Sequence, residues 1–198
     1  VVINNAADAY QRVPLVRRSV NIRSDAVATI PRYFMKGEKE VAFPLTLDMN
    51  DLLKRTVMML DIYGCAFWLK IGSTRGRVMD IRILNSSMVT VEFKGVSRDT
   101  GKPLLAFKYG TQEQQVIYEE DEIVYFKLPH PADDIRSANG AAQVCIDAAR
   151  LIHFQSRFAA SYFESGTMPA TLITGIEPNA PDEEVKRVEG WFKRRLSG

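Results

Sequence analysis

The chain has 198 residues, 46% of them hydrophobic and 25% charged, with a formal net charge of +2. That length and balance exclude a disordered chain and allow one large domain or two small ones around a real core. The charge gives no electrostatic case for or against a polyanionic partner: a protein that wraps nucleic acid tightly is usually more basic, whereas one that lets a polyanion slide past need not be. Cys65 and Cys145 are the two cysteines. Both read as small buried hydrophobes in a reducing compartment, not as a disulfide framework. No apolar run approaches the roughly 18 residues needed to span a bilayer, and no signal peptide is expected. Val1 without a preceding Met and the ending Leu196-Ser197-Gly198 read as the boundaries of a fragment.

Residues 6–30 carry Val13, Val16, Val20, Val27 and Ile30 at helical spacing, with Pro14 in a first turn, and predict one helix that stops before Pro31. Lys36 to Glu40 reads as a mixed loop. Asp48 is placed to cap a second helix, with Asp51 in its first turn and Gly64 as its stop. Leu52, Leu53, Thr56, Val57, Leu60 and Tyr63 make its apolar face. The period then changes to short alternating strands, over 65–71, 78–84, 88–93, 104–109, 115–118 and 123–127, separated by turn residues. Strands this close in sequence are joined most economically as antiparallel hairpins. After a polar loop at 129–139, the stretch from Gly140 to Gly166 contains no Pro and no internal Gly. Val144, Ala148, Leu151, Ile152, Phe158 and Tyr162 recur in it at helical steps. One continuous helix of roughly 40 Å is predicted there, a strut seeking a partner outside its own domain. A strand at 170–174 and a last helix from Pro181, acidic at its start (Asp182, Glu183, Glu184) and basic at its end, complete an α+β chain.

Few residues suggest chemistry. His130 lies beside Asp133 and Asp134, a set that a metal-dependent hydrolase could use. One histidine beside two loop carboxylates is more simply a turn. His153 reads as a helix-surface or packed histidine. The run from Gly72 to Arg77 lacks the Gly-Lys-Ser/Thr of a phosphate loop and reads as a hairpin turn. Neither cysteine reads as a nucleophile, and no cofactor or metal site is expected. The basic groups Arg17-Arg18 and Lys54-Arg55 read as solvated faces. Lys186, Arg187, Lys193, Arg194 and Arg195 are candidates for phosphate or protein contact. Phe154, Phe158 and Tyr162, with Phe163 beside them, read as a helix–helix contact and not as a stacking platform for bases. If the helix is a strut, those aromatics should be unusually exposed in one chain.

Several stretches stand in an order that resembles one family. They are Ala9-Tyr10 with Pro14 to Val20 and Ala26 to Pro31; the helix–Gly–strand junction Leu60 to Phe67; and Tyr118 with Asp121 to Lys127. The long helix ending Tyr162-Phe163-Glu164-Ser165-Gly166-Thr167-Met168-Pro169 follows, then the acidic-start helix containing Trp191. In this order they are similar to a bacteriophage portal protein of the compact kind found in long-tailed phages and prophages. The resemblance implies a β-rich wing with flanking helices over 1–139, a first stem helix over 140–166 and the start of a clip over 167–198. It also implies a twelvefold ring at one capsid vertex, located in the virion and in the bacterial host cytoplasm during assembly. Double-stranded DNA would pass through that ring during packaging and ejection. A large terminase would dock on it and hydrolyse the ATP, and capsid and head–tail adaptor proteins would be further partners. The portal itself would be no enzyme and would touch no membrane. A fragment lacking the second stem helix is expected to be a monomer or small oligomer. The rival readings are another ring-forming head–tail connector or adaptor, usually shorter, and the hydrolase built on His130, Asp133 and Asp134.

Overall fold

The computed structural model describes residues 2–41, 47–72, 78–111 and 113–165, together with Asp182, Glu183, Lys186, Arg187, Gly190 and Trp191. The predicted strand at 170–174 lies outside these residues, as do Glu184, Lys193, Arg194 and Arg195. The chain divides into two compact units, residues 1–149 and 150–198.

The first unit opens with two helices where the sequence predicts one. α1 (Ala6–Arg12) is capped by the Asn5 side chain, and α2 (Pro14–Ala28) follows at once. Pro14 disfavours helical backbone in the residue before it, and Val13 is extended at φ −105°, ψ 106°. Pro14 therefore begins a new helix instead of lying inside the first turn of a longer one. α3 (Met49–Tyr63) is bounded as its ends dictate. Asp48 accepts from the Asn50 and Asp51 N–H groups, and Gly64 closes the helix in the left-handed region at φ 80°. Its buried residues are Leu52, Thr56, Asp61 and Ile62, so a carboxylate sits on the face the sequence assigns to apolar groups.

Lys36 to Glu40, expected as a loop, is a hairpin. β1 (Phe34–Lys36) and β2 (Lys39–Val41) pair antiparallel, and Gly37 at φ 66° supplies the left-handed position that a tight turn needs.

The remaining strands form two three-stranded antiparallel sheets. β3 (Cys65–Gly72) lies between β4 (Val78–Leu84) and β8 (Ile123–Lys127); β6 (Pro103–Thr111) lies between β5 (Val89–Val96) and β7 (Gln114–Glu119). Not every strand pairs with its sequence neighbour. β8 returns past a whole meander to join β3, with Phe67 opposite Tyr125. The core unites the two sheets: Phe67, Leu84 and Ile123 from one meet Leu105 and Phe107 from the other. Phe67 stacks on Tyr125 at 4.9 Å, and Phe107 meets both rings edge-on. On alternate positions of β3, Trp68 turns to α3 and donates its indole N–H to Thr56 Oγ1 at 2.8 Å. The helices have their own core, in which Ala6, Val20, Ile62 and Ala142 are buried.

The predicted long helix is interrupted. α4 (Ala141–Val144) ends at Cys145, with φ −89° and ψ 12°, and α5 (Ile146–Ser165) begins after it. Contacts that the sequence does not display hold α4. Gly140 lies against the Asp61 and Ile62 backbone, and the Gln143 side chain accepts from the Ala6 N–H. Cys145 absorbs the resulting misfit while its N–H still donates to Ala141 and its carbonyl accepts from Ala149. α5 has 20 residues, about 30 Å of helix. Both cysteines are free thiols; Cys65 is half-buried and Cys145 is exposed, contrary to its reading as a buried hydrophobe. An apolar sequence context does not bury a residue on the outer side of a helical joint.

Gly64 fixes the junction between α3 and β3. A Cβ there would run into the Ala138 carbonyl in addition to the left-handed backbone cost. Gly64→Ala is expected to lower unfolding free energy by at least about 2 kcal/mol in urea titration.

Candidate functional site

The loop 128–139 carries His130, Asp133 and Asp134, and the His130 and Asp133 side chains accept hydrogen bonds from the loop's own backbone. His130 Nδ1 accepts from the Ala132 N–H at 3.2 Å, and His130 and Asp133 form an isolated backbone bridge. Asp133 Oδ1 accepts from the N–H groups of Ile135 and Arg136 at 2.7 and 2.9 Å. The Arg136 and Ile135 amides hold the Asp133 carboxyl below its ordinary value, which is how a turn-capping carboxylate behaves. The Asp134 carbonyl accepts from Lys127 Nζ. Among the described residues no group of three or more His, Cys, Asp or Glu side chains is placed to hold a metal ion.

Several other polar groups are likewise used within the fold. A cleft of about 380 Å³ between α3 and β4 is lined by Asp48, Asp51, Arg55, Asp80 and Arg82, among others. Asp48 caps α3, Asp51 pairs with Arg55 at 3.6 Å, and Asp80 accepts from the Ile81 N–H. Residues 73–77 lie outside the described residues, but Gly72 and Val78 on either side pair antiparallel, as a hairpin requires. Burial pushes the Cys65 thiol up and holds the Tyr125 hydroxyl at about 12, so neither is poised for chemistry near neutral pH.

The aromatic residues of α5 stand apart from this self-satisfied surface. Phe154, Phe158 and Phe163 are 49%, 61% and 80% exposed, and Tyr162 is also exposed. Tyr162 and Phe163 meet edge-on at 5.6 Å, and His153 lies edge-on to Phe154 at 5.9 Å. Of the candidate cations, Lys186 and Arg187 are helical and exposed, as are Asp182 and Glu183 ahead of them. Among the described residues no helix is long and apolar enough to cross a membrane.

One buried group was not singled out by the sequence. Asp61, in the last turn of α3, is 4% exposed; Arg23 meets one of its oxygens at 2.8 Å, and the other has no hydrogen-bond partner. Burial raises its proton affinity, and the Arg23 charge opposes this only in part because the guanidinium is itself exposed. The only signal in the sequence is a carboxylate at the negative end of a helix.

These residues define an α+β chain with an exposed aromatic surface on α5. The family model described as "Phage portal protein" matches residues 14–198, and the chain belongs to that family. Among solved structures it is similar to the neck of an empty gene transfer agent particle, at 15% identity and a TM-score of 0.65, over 95% of this chain and 55% of that one. A second is the neck of the native particle computed with C12 symmetry (17%, TM-score 0.59, 91% and 51% covered). A third is an HK97 family phage portal protein from Corynebacterium diphtheriae (16%, TM-score 0.54, 98% and 62% covered). At these identities the likeness is one of fold, and this chain spans about half to three fifths of each. No curated protein matches it.

The Asp61 geometry sets a pH dependence. The native carboxyl binds its proton more tightly than the unfolded one, so its contribution to stability falls as pH rises from about 4. Asp61→Asn is expected to have a higher thermal midpoint than the parent at pH 7, with the gap closing as pH falls toward 4. A lower midpoint at pH 7 would mean that the Arg23 pairing outweighs burial.

Proposed function

We propose that this chain forms the wing, the first stem helix and the start of the clip of a portal subunit. In this reading it assembles with copies of itself into a twelvefold ring at a capsid vertex. Double-stranded DNA passes through that ring during packaging and ejection. The ring docks the large terminase, which hydrolyses the ATP, and on its other side the head–tail adaptor. Lys186, Arg187, Lys193, Arg194 and Arg195 are its candidate contacts to terminase or DNA. The protein works in the virion, after assembly in the host cytoplasm.

The observation that carries the reading is α5. Bare aromatics at 154, 158 and 163 are costly in water, and a ring neighbour or a second stem helix would cover them. The near-neutral charge fits the same role, since phosphate contacts strong enough to grip DNA would brake its passage. The rival hydrolase loses support from the His130–Asp133 loop, whose acceptors already serve its own backbone.

The full-length protein is expected to form rings in negative-stain images. Phe158→Asp should abolish or strongly reduce them while changing the thermal stability of the isolated subunit by no more than about 0.5 kcal/mol, as befits an exposed site. Monomers alone under all assembly conditions would refute the ring reading. Unaffected rings in Phe158→Asp would remove α5 from the interface.

A further inference from the structure

The loop that leads into α4 carries a chemically labile pair. Asn-Gly occurs once in the chain, at Asn139-Gly140. Asparagine is thermolabile, and most so before glycine, where the next amide nitrogen can reach the side-chain carbonyl with no Cβ in its way. The other described asparagines, Asn4, Asn5, Asn21, Asn50 and Asn85, all precede residues that have a Cβ. Most of them also hold their side chains in hydrogen bonds. Asn5 accepts from the Asp8 N–H, Asn21 from the Tyr10 hydroxyl, Asn50 from Arg32 and Asn85 from the Ser87 N–H.

Asn139 differs on every count. It is exposed, stands outside any helix or strand, and its side chain makes no hydrogen bond among the described residues. The Gly140 N–H donates to no acceptor among them either. Nucleophile and electrophile are therefore neighbours in the chain, and neither must first give up a hydrogen bond. The same glycine fastens α4. A Cβ on it would stand 2.5 Å from the Asp61 carbonyl oxygen and 2.7 Å from the Ile62 carbonyl carbon. Its own carbonyl accepts from the Gln143 and Val144 N–H groups at 2.9 and 3.1 Å.

We propose that Asn139 is a site of spontaneous modification that unfastens α4 from α3. The Gly140 nitrogen gives up its proton and bonds to Asn139 Cγ. The Cγ–Nδ2 bond breaks, ammonia leaves with a proton from solvent, and a cyclic imide remains. Water then adds to either imide carbonyl and opens the ring, to aspartate or to isoaspartate. Water is the only co-reactant, and nothing is oxidised or reduced. Both products place a new carboxylate before α4. Isoaspartate also routes the chain through the former side-chain carbon, so the backbone gains a methylene directly before Gly140. The contact of Gly140 with the α3 backbone leaves no room for that added length. Gly140 must withdraw, and the α4 cap and the Gln143–Ala6 hydrogen bond are lost with it. None of this depends on the ring reading.

The test uses the full-length protein, warmed at pH 8 below its thermal midpoint, with samples mapped over days by peptide mass spectrometry. The Asn139 peptide should gain the mass of an amide turned to an acid and split into isoaspartyl and aspartyl products, while the Asn85 peptide stays as it was. The change should be several-fold slower at pH 6, because the attacking nitrogen must lose its proton. The thermal midpoint should fall in step with the isoaspartyl fraction. Asn139→Gln should keep both its mass and its midpoint through the same incubation, since glutamine has a larger ring to close. Gly140 is left unsubstituted because a Cβ there would collide with α3. Freshly made Asn139→Asp carries the charge without the added methylene, and a midpoint close to the parent's is expected. An Asn139 amide that survives, or is lost no faster than that of Asn85, overturns the site. Isoaspartate at 139 with the parent's midpoint overturns the unfastening, and so does fresh Asn139→Asp with a midpoint as low as the aged parent's.

Discussion

The first unit depends on the left-handed turn at Gly64. Its N–H closes α3 by donating to Leu60, and its carbonyl accepts from the Leu128 N–H and the Ser137 hydroxyl. One peptide thus ends a helix, starts β3 and anchors the loop that follows β8. The neighbouring Cys65 carbonyl accepts from Ser86, which ties in the 3-10 turn at 86–88 before β5. The absence of a Cβ is what lets Ala138 approach, and Gly140 repeats the device two residues later against Asp61 and Ile62. Two bare backbones in contact place α4 at the end of α3, and α5 continues from there.

From that junction, period-two alternation along β3 separates two cores. Phe67 goes to the sheet–sheet side with Tyr125 and Phe107, and Trp68 to the helical side with Thr56. A one-residue slip in β3 would exchange them and bury the wrong set on each face. The indole N–H is satisfied only on the α3 side, so the hydrogen bond and the packing specify the same register. Asp61 is the exception to this agreement. It is a carboxylate on a buried face with one oxygen unpartnered, held beside the same junction that its own backbone helps to form.

What the sequence made legible follows from how local each signal is. Asp48 and Gly64 bound α3 through contacts within four residues, and both ends were readable. The strands of 78–84 and 123–127 were readable from alternation alone. The helical joint at Cys145 was not, because its cause is the contact of Gly140 and Gln143 with residues about 80 and 137 positions earlier. The pairing of β8 with β3 was hidden for the same reason. Val13 differs in kind: its signal, Pro14, is local, but the apolar spacing across 13–20 runs through it unbroken. The exposure of Phe154 and Phe158 was readable as the consequence of a stripe too long for its own domain.

The aromatics of α5 differ in kind from the charged contacts of the first unit. Apolar area acts only on contact and is little affected by ionic strength, whereas exposed pairs such as Lys94–Glu119 and Lys108–Glu92 are screened by salt and contribute little individually. On the ring reading, burial of Phe154, Phe158 and Phe163 would therefore govern how long copies stay together, and salt would change that little.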